Sequence, residues 1–127
     1  MKTIISTPKA PSAIGPYNQA TAFDKLIFTS GQIALDPTTM EIVQGGVKEQ
    51  TFQVMENLKA VLEQAGSSFE NVLKTTCYLS DMDNFVAFNE VYGQYFNAET
   101  APARSTVAVK TWPKNVLVEV DTIAFKN

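Results

Sequence analysis

The chain has 127 residues, enough for one hydrophobic core and too few for two, so a single domain over residues 1–127 is expected. Hydrophobic residues make up 45% of it and charged residues 18%, the balance of a folded domain and not of a disordered tail. The net charge is −3 with the lysines scattered singly, which leaves no basic stripe to release counterions from nucleic acid, and histidine is absent, which removes every Ser-His, Cys-His and His-metal arrangement.

In chain order, β-branched and aromatic runs predict strands at 3–6, 19–23 and 26–32, with turn-rich stretches at 8–16 and 36–46. Residues 47–65 give the clearest helix, with Val47, Val54, Met55, Leu58, Val61, Leu62 and Ala65 on one stripe and Gly66 placed to end it. Gly45-Gly46 before it reads as loop punctuation, since no fuller phosphate-binding pattern accompanies it. A strand follows at 72–79 and places Cys77 on the face of Leu73, Thr75 and Leu79, where a small hydrophobe packs. As the sole cysteine, Cys77 can form no internal disulfide, which agrees with a reducing compartment.

A second helix is predicted over 82–96, capped by Asp81 or Asp83 and burying Phe85, Phe88, Val91, Tyr92, Tyr95 and Phe96, with Asn89 pointing elsewhere. Asp81-Met82-Asp83-Asn84 begins like a calcium loop, but Val86 and Tyr92 stand where its glycine and bidentate glutamate belong. Strands at 103–109 and 116–125 complete the order βββαβαββ, an α+β fold with a mixed sheet and both helices on one face. The last strand alternates Val116, Val118 and Val120 against Leu117, Ile123 and Phe125, so both faces of the sheet are apolar and the second wants a partner, most economically further copies of the chain. No run approaches the roughly 18 apolar residues of a membrane span, and MKTIISTPKAPSAIG lacks a signal-peptide core; a cytoplasmic location is expected, with neither membrane nor nucleic acid as partner.

Nine lysines accompany a single arginine, Arg104, at the start of the 103–109 strand, and Glu119 and Asp121 interrupt the last strand. If these two strands paired, Arg104 and a carboxylate would lie at one rim of the sheet, either as a structural salt bridge or as a site. Ala13-Ile14-Gly15-Pro16-Tyr17, Phe28-Thr29-Ser30-Gly31-Gln32-Ile33, Pro102-Ala103-Arg104-Ser105 and Val118-Glu119-Val120-Asp121-Thr122-Ile123-Ala124 decide how to weigh those alternatives. With Asn57 and Phe88-Asn89-Glu90-Val91-Tyr92, these segments resemble the RidA/YjgF family over nearly the whole chain.

The resemblance implies a chorismate-mutase-like fold, a homotrimer with clefts between neighbouring subunits, and cofactor-independent deamination of 2-aminoacrylate/2-iminopropanoate and 2-aminocrotonate/2-iminobutanoate to 2-keto acids and ammonia. It places the carboxylate-binding arginine on Arg104, the water-positioning glutamate on Glu119 and the pocket tyrosine on Tyr17, with Ser30, Gly31 and Asn89 as further pocket positions. Many members carry cysteine where this chain has Thr106, which excludes a thiol there and makes Thr106 a candidate for tuning specificity. The expected chemistry needs no metal: a guanidinium fork matches both oxygens of an imino acid carboxylate, and an ionised glutamate can orient a water against the adjacent C=N carbon. Tyr17 reads alternatively as the cap of a proline turn. A non-catalytic sensor of 2-keto acids would use Arg104 equally well, whereas ribonuclease activity, attached to relatives, is disfavoured by the acidic charge.

Overall fold

In the computed structural model, residues 1–127 are described except for the side chain of Pro113. Three short strands, β1 (Thr3–Ile5), β2 (Ala20–Phe23) and β3 (Leu26–Thr29), form an antiparallel meander. Asp24, with φ of 55°, makes the turn between the last two. Helix α1 (Val47–Gln64) follows, then β4 (Val72–Leu79), helix α2 (Phe85–Tyr92), β5 (Ala103–Ala108) and β6 (Val118–Phe125). The six strands form one mixed sheet in the order β1-β2-β3-β6-β4-β5, antiparallel except for β4 beside β5. The expected order βββαβαββ and the α+β class are thus observed.

Both helices pack on one face. Val54, Met55 and Leu58 of α1 and Phe88 and Tyr92 of α2 meet Cys77, Leu79, Val118 and Val120 of the sheet, while Val61 and Leu62 cover Ile27, Val72 and Ala124. Burial pushes the Cys77 thiol up to about 11, as a packed, unreactive cysteine requires. Helix α1 ends as its sequence demands: Gly66 takes φ of 81°, Ser67 N–H reaches Leu62 C=O at 2.8 Å and Gly66 N–H reaches Glu63 C=O at 3.0 Å.

Several expectations are corrected. The 82–96 segment is no continuous helix: turns of 3-10 helix at Met82–Asn84 and Gly93–Tyr95 flank the eight residues of α2. The Asp81 carboxylate accepts Asp83 N–H at 2.7 Å and caps the first of these turns. The strand expected over 26–32 stops at Thr29, and Gln32 bridges to Val120 instead. Leu73 does not share the face of Cys77, because an irregularity between Val72 and Lys74 in the pairing with β6 turns Leu73 outward, leaving it 49% exposed.

Three buried polar side chains tie loops to this frame. Gln19 accepts Thr7 N–H at 2.7 Å and donates to the carbonyls of Thr7 and Pro11, which fixes the approach to Tyr17. Asn57 of α1 donates to the carbonyls of Ile33 and Leu35, anchoring the segment that follows Ser30 and Gly31. Gln50 accepts Leu117 N–H at 2.9 Å and fixes the approach to Glu119.

Candidate functional site

Arg104 lies on β5, the edge strand, and its side chain turns to the helix side of the sheet. Its Nη1 donates to Asn89 Oδ1 at 2.6 Å, and its guanidinium carbon stands 4.8 Å from the centroid of the Tyr92 ring and 5.4 Å from that of Phe85. Phe85, Asn89 and Tyr92 recur at the helical spacing i, i+4, i+7, so one stripe of α2 holds the group from three sides. Among the described residues no carboxylate pairs with Arg104; the ion pair found there joins Lys48 to Glu90 on the helix surface at 2.7 Å. A guanidinium held through Nη1 keeps its Nε–Nη2 edge for a second planar acceptor. A cavity of ≈ 470 Å³, lined by Asn89, Tyr92, Phe96, Pro102 and Arg104, opens beside it. On the same face of β5, the Thr106 hydroxyl is buried without a hydrogen-bond partner.

Glu119 lies on the other face of the sheet, opposite Tyr78 in the pairing of β6 with β4. Its carboxylate packs against the Cα of Gly31: a Cβ there would meet the Glu119 carboxyl carbon at 2.7 Å, so any larger residue would displace the carboxylate from this position. Burial pushes the Glu119 carboxyl above its ordinary value, and the nearby Asp121 carboxylate adds to the shift. Asp121 is raised too, chiefly by burial, while the Tyr78 hydroxyl at 3.3 Å works against that shift. Ser30, just before Gly31, donates its hydroxyl to Asn18 C=O at 2.6 Å and its N–H to Gln19 C=O at 2.9 Å. Tyr17 stands next to Asn18, 51% exposed, and its hydroxyl accepts Ile14 N–H at 3.3 Å, closing a turn in which Gly15 has φ of 112°.

The site residues therefore fall into two groups. Arg104, Asn89 and Thr106 gather on the helix side at the β5 edge, whereas Glu119 and Gly31 meet on the uncovered side, with Ser30 next to Gly31 and Tyr17 in the loop that Ser30 holds through Asn18. The pairing of the last two strands fails: β4 lies between β5 and β6, so Arg104 and Glu119 form no cross-strand salt bridge. The helical stripe assigns Phe85 and Tyr92 to the core. Their spacing about Asn89 was the available signal that they also frame a polar group. Thr75, whose hydroxyl lies 2.8 Å from that of Tyr92, carried no such signal.

The geometry defines a class: a one-sheet α+β domain with a caged arginine at the sheet edge and a half-buried carboxylate on the opposite face. Residues 7–126 match the Endoribonuclease L-PSP family. A RutC family protein of Synechocystis is 57% identical over 95% of this chain and 94% of its own length. The mouse 2-iminobutanoate/2-iminopropanoate deaminase is 45% identical over 98% of this chain and 91% of its own. The crystal structure of RidA from an Antarctic Psychrobacter superposes with a TM-score of 0.92 at 41% identity, covering 97% of this chain and 98% of that one. The chain belongs to the Endoribonuclease L-PSP family, in which the RidA/YjgF proteins fall.

Proposed function

We propose that this protein is a cytoplasmic, cofactor-independent deaminase of 2-imino acids, acting as a homotrimer in which Arg104 of one protomer and Glu119 of the next close a single cleft. The observation that carries the reading is the split of the site: the only arginine, uncompensated and fixed, and the glutamate best placed to act as a base occupy opposite faces of one sheet. With β4 between their strands and the two groups on opposite faces, the reading has them meet on one substrate across a subunit boundary. The open face supplies a reason to assemble, since Ile4, Phe23, Leu26, Phe28 and Val107 are each at least two-fifths exposed on it or along its edge. The likeness to a deaminase of 2-iminobutanoate and 2-iminopropanoate supports the substrate class.

In this cleft the Arg104 fork binds both carboxylate oxygens of the imino acid and holds its C2 carbon in place. Glu119, ionised, accepts a proton from a water as the water oxygen bonds to C2 and the C=N nitrogen takes up a proton. The carbinolamine then expels ammonia and leaves the 2-keto acid, so the sum is C=N plus water giving C=O plus ammonia. The raised Glu119 pKa moves the base toward neutral pH, where proton acceptance is more favourable.

Mixing two inactive variants tests the reading. Arg104→Ala and Glu119→Gln are each expected to fail to accelerate release of 2-oxobutanoate from 2-aminocrotonate generated in situ. Dissociated, mixed in equal amounts and reassembled, they should recover roughly a quarter of wild-type activity, the random fraction of clefts that join an intact arginine to an intact glutamate. No recovery would place both residues in one protomer's site. Wild-type protein that binds 2-oxobutanoate without accelerating its release would instead be a sensor.

A further inference from the structure

Arg104 is held by side chains that are themselves held. The Tyr92 ring lies under the guanidinium at 4.8 Å, and its hydroxyl is 2.8 Å from Thr75 Oγ1, a fully buried hydroxyl on the strand next to β5. Tyr92 is itself buried and packs on Phe88 and Phe96, with centroid separations of 5.3 and 4.8 Å, so its ring has little room to turn. Asn89, three residues earlier on the same helix, takes one guanidinium N–H. An arginine on an edge strand would otherwise sample many rotamers, and each would have to be frozen on binding.

We propose that Tyr92, pinned by Thr75, is a positioning residue that fixes the plane of the Arg104 guanidinium, so that the edge left free by Asn89 is already aimed at the ligand carboxylate. The three groups come from three elements, β4, α2 and β5, and no two of them are adjacent in sequence. The chain Thr75–Tyr92–Arg104 thus carries the rigidity of the core out to the sheet edge. Its functional consequence rests on the reading of Arg104 as the carboxylate-binding group, whereas its structural content does not.

The test uses a property of this sequence: Arg104 is the only arginine, so its guanidinium resonances in a 15N-labelled sample need no assignment. Rotation about the Arg104 Nε–Cζ bond should be slow in the wild type, measurably faster in Thr75→Val, which keeps the buried volume but removes the pin, and fastest in Tyr92→Leu. Binding of 2-oxobutanoate should weaken in the same order, by roughly 3- to 30-fold for Tyr92→Leu, with no such change in an Arg104→Ala background. In turnover the loss should fall on KM with kcat nearly unchanged, a split that a general loss of stability would not produce. Unchanged rotation in Thr75→Val would overturn the proposal, and that variant decides if Tyr92→Leu does not fold. Slow wild-type rotation that both substitutions release, in a protein that proves inactive on imines, would leave this proposal standing and overturn only the deaminase reading.

Discussion

The two faces of the sheet are built from the same strands and behave as opposite materials. On the covered face Val118, Val120 and Cys77 are fully buried and interlock with both helices, and Arg104 is caged at the edge. On the other face Phe23, Leu26 and Phe28 stand open, and Glu119 and Asp121 lie half-buried between Tyr78 and apolar neighbours. The covered face is finished within one chain, whereas the uncovered face leaves large apolar side chains exposed. Because the strand period of two assigns alternate residues to alternate faces, a site that needs both halves needs two chains.

The largest effects should come from the two charges. Arg104→Ala is expected to lose about 2 to 4 kcal/mol of ligand and transition-state binding, on the order of 30- to 1000-fold in kcat/KM, read in the coupled 2-oxobutanoate assay. Glu119→Gln should abolish turnover with ligand affinity largely kept, and it should also raise the melting temperature at neutral pH. The sign follows from linkage: a carboxyl whose pKa is raised by folding favours the folded state below its unfolded value and disfavours it once pH passes the folded value, so removing the charge relieves that penalty.

A second pair of substitutions separates the faces. Phe88→Ala, in the filled core, should cost about 3 to 5 kcal/mol of stability at any protein concentration, measured by denaturant unfolding. Phe28→Asp, on the open face, should leave far-ultraviolet circular dichroism intact and shift sedimentation to the monomer, with turnover lost in proportion. A folded, monomeric and fully active Phe28→Asp would break the comparison between the faces.

The smallest effect concerns pH. The acid limb of kcat/KM should lie above the ordinary value of a glutamate, because Glu119 must lose its proton from a raised pKa. Asp121→Asn removes one of the two causes of that shift and should move the limb to lower pH, though not the whole way, since burial is the larger cause. A limb that stays in place would separate Asp121 from the base.

Much of the molecule was legible in its pattern of residues. The helix stripe from Val54 to Leu62, the alternation through Val118 and Val120 and the stop at Gly66 are local periodicities, and each was read correctly because local sterics and amphipathicity determine it. The candidate residues are legible as types: one arginine, and two carboxylates, Glu119 and Asp121, that interrupt an apolar strand.

Their arrangement was not legible. That β4 would lie between β5 and β6, parting Arg104 from Glu119, depends on which strand edges find one another, and strand pairing leaves no mark in a single strand's composition. The breaks that frame α2, the outward turn of Leu73 and the pinning of Tyr92 by Thr75 likewise arise from packing between elements distant in sequence. Sequence alone determined the elements, the order in which they come and the chemical groups available. The tertiary structure decided which face each group took, because a period of two assigns a residue to a side of its strand but cannot say which side the helices will cover.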